Sequence, residues 1–165
     1  MAYSVLKHLT FNAWANTKVA ELLLNADDVI YYQKNRSSFH SIAKTIMHIW
    51  DAEYIWLKRM NGESLDTWPS ANFNGTKEDA LRGLVQSSND ILMFIESKDE
   101  AFLSSIYAYK NMKGDSFEDS YEETLFHVVN HGTYHRGQII SMLRETGLTK
   151  VVSTDLIHYL RTLKK

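Results

Sequence analysis

At 165 residues, with 44% hydrophobic and 23% charged side chains, the chain has the size and composition of one ordinary globular domain, and nothing calls for a second. A net charge of −2, from 18 basic and 20 acidic residues without a basic run, argues against nucleic acid as a partner. The absence of cysteine removes disulfides, thiolate metal sites and a cysteine nucleophile, so any thiol chemistry must use a thiol from outside.

The opening segment, MAYSVLKHLTFNAWANTK, has no basic stretch followed by a continuous apolar one, and no later run is long enough to span a membrane. A cytoplasmic location is expected. With a single proline, Pro69, and seven glycines, long segments run uninterrupted and repeat apolar residues at three and four. The first helix is predicted from about Ser4 to Leu24, with Leu6, Leu9, Ala13, Trp14, Val19, Leu22 and Leu23 on its apolar face.

The second helix follows Ser37 and Ser38 and reaches about Met60, where Asn61 and Gly62 can end it. It carries TIMHIWDAEYIW, in which His48 lies at the edge of a stripe of Ile42, Ile46, Ile49, Trp56 and Met60, and Glu53 falls inside that stripe. An unpartnered carboxylate there is costly. Glu53 therefore has two readings: a salt bridge to a basic residue such as Arg136, or a group that orients a metal-bound imidazole or acts as a general base.

The polar connection NGESLDTWPSANFNG leads to Thr76, three residues before Asp79 in a capping-box arrangement, and a third helix is expected over Lys77–Glu96. In SSIYAYKNMKGDSFEDSY the period changes: Tyr107 and Tyr109 alternate with Ile106 and Ala108, and Lys113 with Gly114 can turn the chain. A short hairpin or ordered loop is expected near 105–118. Ser120 and Glu123 form a second capping box for a fourth helix that stops near Gly147, and a short fifth runs from about Thr154 to Leu163. The expected fold is all-α, an antiparallel four-helix bundle with a short extra C-terminal helix, in one domain over 1–165.

The fourth helix holds FHVVNHGTYHRGQII, with His127, His131 and His135 at four-residue intervals, each about 40° around the axis from the last. Measured from His127, the apolar residues Leu125, Val128, Ile139 and Leu143 centre near about 140°, so His135 lies nearest the core and His127 farthest out. His131 with His135 is the pair able to face a semi-buried pocket. Two imidazoles one turn apart can bind one cation but rarely hold it firmly, and His48 is a candidate third ligand. Histidines on such helices also cap carbonyls, pair with carboxylates or lie exposed, and on the residues alone both readings stand.

His8, His40 and His158 lack a partner at metal spacing, and the four tryptophans read as packing. GTYHRGQ has glycines at P-loop spacing but no lysine to reach phosphate. There is no HExxH pair, nucleophile elbow or dinucleotide fingerprint.

HIWDAEYIWL together with VNHGTYHRGQI, and with FNAWANTKVAELL and STDLIHYL at the two ends, resembles the DinB/YfiT-like superfamily of small bundle proteins. The bypass DNA polymerase that shares the name is unrelated. The resemblance implies a divalent metal, commonly zinc or nickel, on His48, His131 and His135, with the remaining positions open to water, and a homodimer. It implies that His127 lines the pocket mouth, that Arg136 and Gln138 also line the pocket, and that Gly137 permits close helix packing. The activity it implies is activation of a low-molecular-weight thiol cosubstrate (an S-transferase) or of water (a hydrolase) on a small-molecule substrate. The rival reading is a non-catalytic metal-binding or stress-associated bundle. Neither nucleic acid nor membrane is an expected partner.

Overall fold

A computed structural model describes residues 4–164, which are 65% helical, in one short 3-10 helix and seven α-helices. In chain order these are α1 (Val5–Leu24), α2 (Asp28–Tyr32), α3 (Ile42–Met60), α4 (Lys77–Glu96), α5 (Glu100–Ser104), α6 (Tyr121–Glu145) and α7 (Leu156–Thr162). A 3-10 turn (Pro69–Asn72) lies between α3 and α4, and strands β1 (Ile106–Lys110) and β2 (Ser116–Ser120) lie between α5 and α6.

The long helices begin where side chains satisfy their free N–H groups. Ser4 accepts from the Lys7 amide and Ser41 from the Lys44 amide, while Thr76 with Asp79 and Ser120 with Glu123 form complete capping boxes. The second long helix therefore starts at Ser41 rather than after Ser37 and Ser38. His40, at φ 62, holds the left-handed conformation that ends any helix passing through it. One-turn helices α2 and α5, capped by Asp27 and Asp99, occupy segments for which no helix was expected, being too short to show a hydrophobic period.

The hairpin pairs Ile106 with Ser120 and Tyr109 with Phe117, extending two residues past the expected range. Asn111 accepts from the Lys113 and Asp115 amides to close its turn, and Gly114 takes φ 89 there.

Helix α1 packs on α4 and α6, and α3 packs on the same two. The apolar core divides into two clusters. One joins Val19 and Leu23 of α1 to Ile42, Ile46 and Ile49 of α3, Leu81 and Leu84 of α4, and Ile139 and Leu143 of α6. The other joins Leu9 and Ala15 of α1 to Met60 of α3, Ile91 and Ile95 of α4, and Leu125 and Val128 of α6.

This order fixes direction: α1 and α6 put their C-terminal halves into the first cluster, whereas α3 and α4 put their N-terminal halves there. The packed pairs α1/α4 and α3/α6 are thus antiparallel, but α1/α6 and α3/α4 run parallel, a correction to a wholly antiparallel arrangement. Parallel neighbours need a connection that returns along their length, which the segment 61–76 supplies. Asp51 tethers it, accepting from the Ser70 amide at 2.8 Å and the Ser70 hydroxyl at 2.6 Å.

Candidate metal centre

His48 is on α3, and His131 and His135 are one turn apart on α6, its antiparallel neighbour. Each of the three offers a ring nitrogen within 4.8 Å of the others, and among the described residues no carboxylate joins the group. Their ring centroids are 4.4–4.7 Å apart. Nitrogens bound to one cation at about 2.0–2.1 Å stand about 3.3 Å from each other, so little rotation separates these rings from a coordinating set.

The His131 and His48 Nε2 atoms are 2.9 Å apart, a distance at which a proton on either one bonds to the other. Cation binding requires that proton to leave Nε2, since both lone pairs must point inward. The His135 Nδ1–H donates to Gln138 Oε1 at 2.8 Å, which turns its Nε2 lone pair toward the other two rings.

Burial, then the neighbouring His135, pushes His48 down to about 4. Burial, then the other histidines and Arg136, pushes His131 down to about 3, and burial lowers His135 against the opposing Gln138 bond. All three imidazoles are neutral at neutral pH, as metal ligands must be. The donor set fits a borderline divalent cation with positions left over.

Phe39, which the sequence analysis did not single out, stacks on His48 at 4.0 Å between ring centroids and meets His135 edge-on at 5.4 Å. Nothing in its local pattern marks it, because it reaches the site from the loop between α2 and α3. His127 is exposed and lines a separate cleft of about 260 Å³ with Trp56, Asp119 and Glu123. His8 and His158 pack against aromatic rings elsewhere.

Arg136 does not line a cleft: it is 1% exposed and points across the core to α1. Its Nη1 donates to Asn12 Oδ1 and Asn16 Oδ1, both at 2.7 Å, and its Nη2 donates to Thr133 Oγ1 at 2.9 Å. Asn12 and Asn16 in turn donate to Glu53 Oε1 at 2.7 and 2.8 Å, while Ser87 and Ser88 donate to Oε2 at 2.9 and 2.7 Å.

The expected alternatives for Glu53 are both replaced. Among the described residues its charge meets Arg136 through two asparagines rather than by a direct ion pair, and its oxygens are filled by donors from α1 and α4 rather than by imidazoles. Burial raises the Glu53 carboxyl while Ser88, Asn12, Ser87 and Arg136 pull it back, and burial lowers Arg136 to about 10. These residues form a polar layer between the two apolar clusters.

Close packing falls to Gly132 rather than to Gly137. A Cβ on Gly132 would lie 2.8 Å from Arg136 Nη1 and 2.9 Å from Asn12 Oδ1, whereas one on Gly137 meets nothing within 4 Å.

A family profile described as DinB family matches residues 1–163. Protein DinB of Bacillus subtilis (strain 168) is 29% identical over 145 residues, covering 83% of this chain and 83% of that protein. A crystal structure of a DinB-like protein from Bacillus cereus superposes with a TM-score of 0.69 at 17% identity, over 90% of this chain and 94% of that one. A DinB-like protein from Bacillus subtilis, YjoA, gives 0.63 at 16% identity, over 92% and 97%. At those identities the solved structures share the fold. Among the described residues no helix is long and apolar enough to cross a membrane.

Proposed function

The chain belongs to the DinB family, and from that premise we propose that it holds one divalent cation, zinc or nickel, on His48, His131 and His135 to activate a low-molecular-weight thiol or water against a small-molecule substrate. The observation that carries this reading is the approach of three neutral ring nitrogens, from two different helices, to within 4.8 Å of one another. A cation bound there supplies Lewis acidity, which ionises a thiol or water near neutral pH. The chain's own residues do the rest. Gln138 fixes the His135 tautomer, Phe39 limits solvent at His48, and three neutral ligands leave the positive charge uncompensated.

The four long helices are read as one bundle, acting in the cytoplasm as a homodimer without nucleic-acid or membrane partners. A non-catalytic metal-binding role draws on one observation: Phe39 lies against two of the three histidines and narrows access to them.

Elemental analysis of protein purified without an affinity tag, beside a His131→Ala variant, tests the site. One equivalent of metal in the parent and about a tenth or less in the variant is expected; equal content in the two would overturn it. Low-molecular-weight thiols offered with a panel of electrophiles then separate the roles. Turnover that disappears with the metal supports an enzyme, and none with any pair supports the non-catalytic role.

A further inference from the structure

Beside the metal centre the loop between α2 and α3 faces α6 across an open cleft of about 670 Å³, a volume suited to a small molecule. The cleft shares both walls with the metal centre. On the α6 wall, Gln138 lines it while accepting from His135, and Tyr134 lines it while its ring meets His135 at 4.9 Å. On the loop wall, Ser37 and Ser38 line it immediately before Phe39, which stacks on His48.

That loop is built rigidly. The Asn35 amide donates to His40 O at 2.9 Å, the His40 amide to Ser37 O at 3.0 Å, and the Ser37 amide to Asn35 Oδ1 at 2.8 Å. The Asn35 side chain ties it to Met142 of α6, and His40 ends it in the left-handed region at φ 62, a conformation that costs energy for a residue with a Cβ. A preorganised wall of this kind reduces the entropy lost on binding.

The polar groups facing the cleft are unspent. Among the described residues Arg36 and Glu145 line it without a hydrogen bond or ion pair to each other or to any other group. Ser38 and Ser141, both exposed, add hydroxyls to the lining. Gly137 leaves the floor clear although α6 has no packing reason for a glycine there.

One guanidinium and one carboxylate suit neither a dianion nor an apolar ligand. We propose that the cleft binds a zwitterionic small molecule of the amino-acid class, its carboxylate on Arg36 and its ammonium toward Glu145, with the remainder directed along Gln138 to the metal centre. The assignment of this ligand as a substrate rests on the metal-site reading; its binding does not.

Nuclear magnetic resonance titrations of the whole chain, as purified and after chelation, with L-norvaline, its methyl ester and its N-acetyl derivative test the site. Saturable shifts at the Ser37, Gly137 and Gln138 amides are expected for L-norvaline in both preparations. Both derivatives, and L-norvaline with Arg36→Ala or Glu145→Ala, should bind about tenfold more weakly, the loss of one charge-assisted contact. Both variants alter exposed residues, and an unchanged helical spectrum confirms their fold.

Absence of saturable shifts, or equal binding of the three probes, overturns the proposal. So does a preference for the N-acetyl compound that ignores Glu145→Ala, which would make the cleft a simple anion site. Binding lost on chelation and indifferent to both variants would mean capture by the metal alone. A chain that proves metal-free yet binds L-norvaline in the cleft would sink the metal reading and leave this one standing.

Discussion

A histidine buried beside two others gains more by staying neutral than by taking a proton. Folding holds His48 at about 4 and His131 at about 3, against about 6.5 for a free side chain. Between those values the unfolded chain binds more protons, so the metal-free protein should lose stability as pH falls from about 6.5 through the folded-state values. Above about 7 these groups should contribute no slope. Thermal melts of chelated protein across that range measure it, and a constant midpoint would mean the rings are hydrated.

Two glycines of α6 offer a contrast at the same scale. The Arg136 and Asn12 atoms that crowd Gly132 would ordinarily swing aside, but each is held by buried hydrogen bonds. Gly132→Ala should therefore destabilise by about 2 kcal/mol despite alanine's helix propensity. Gly137→Ala, with open space around the added methyl, should stabilise by about 1 kcal/mol. Urea denaturation of the pair decides between this assignment and the reverse.

At the scale of elements, the polar layer ties the rotation of α6 to that of α3. Arg136 is adjacent to His135, and Glu53 is on the same helix as His48. A side chain reaches about 5–6 Å from its helix axis, so turning α6 by about 10° would move a ring nitrogen by about 1 Å. Coordination tolerates about 0.2 Å. Glu53→Gln should leave a folded protein whose zinc affinity falls about tenfold. Ile91→Ala, a core truncation outside the layer, should lower stability and leave zinc affinity near that of the parent. Equal losses of affinity in the two would reduce the layer to general stabilisation. Arg136→Met, which strands the Glu53 charge and two amide oxygens, should cost about 3–5 kcal/mol, less when combined with Glu53→Gln.

For the molecule as a whole, one ion on His48, His131 and His135 would join α3 to α6 across the core, binding the folded chain far better than the unfolded one. Zinc at about a hundred times its dissociation constant should add about 2.7 kcal/mol, and at about 2–4 °C per kcal/mol raise the melting midpoint by about 5–10 °C. Calorimetry with and without chelator reads the shift, and His48→Ala should abolish it. Long helices, the two capping boxes, the hairpin and the histidine stripe were legible beforehand because each is written in neighbours a few residues apart: Ser120 with Glu123, or His131 with His135. His48 was a candidate from its place at the edge of the α3 stripe and a ligand by family likeness, but its approach to the α6 pair is a product of packing. The parallel run of α3 and α4, the asparagine bridge from Glu53 to Arg136, and the contact of Phe39 with His48 were decided only in three dimensions. Each joins residues whose partners are distant in the chain, where no local spacing records which side chain will fill which gap.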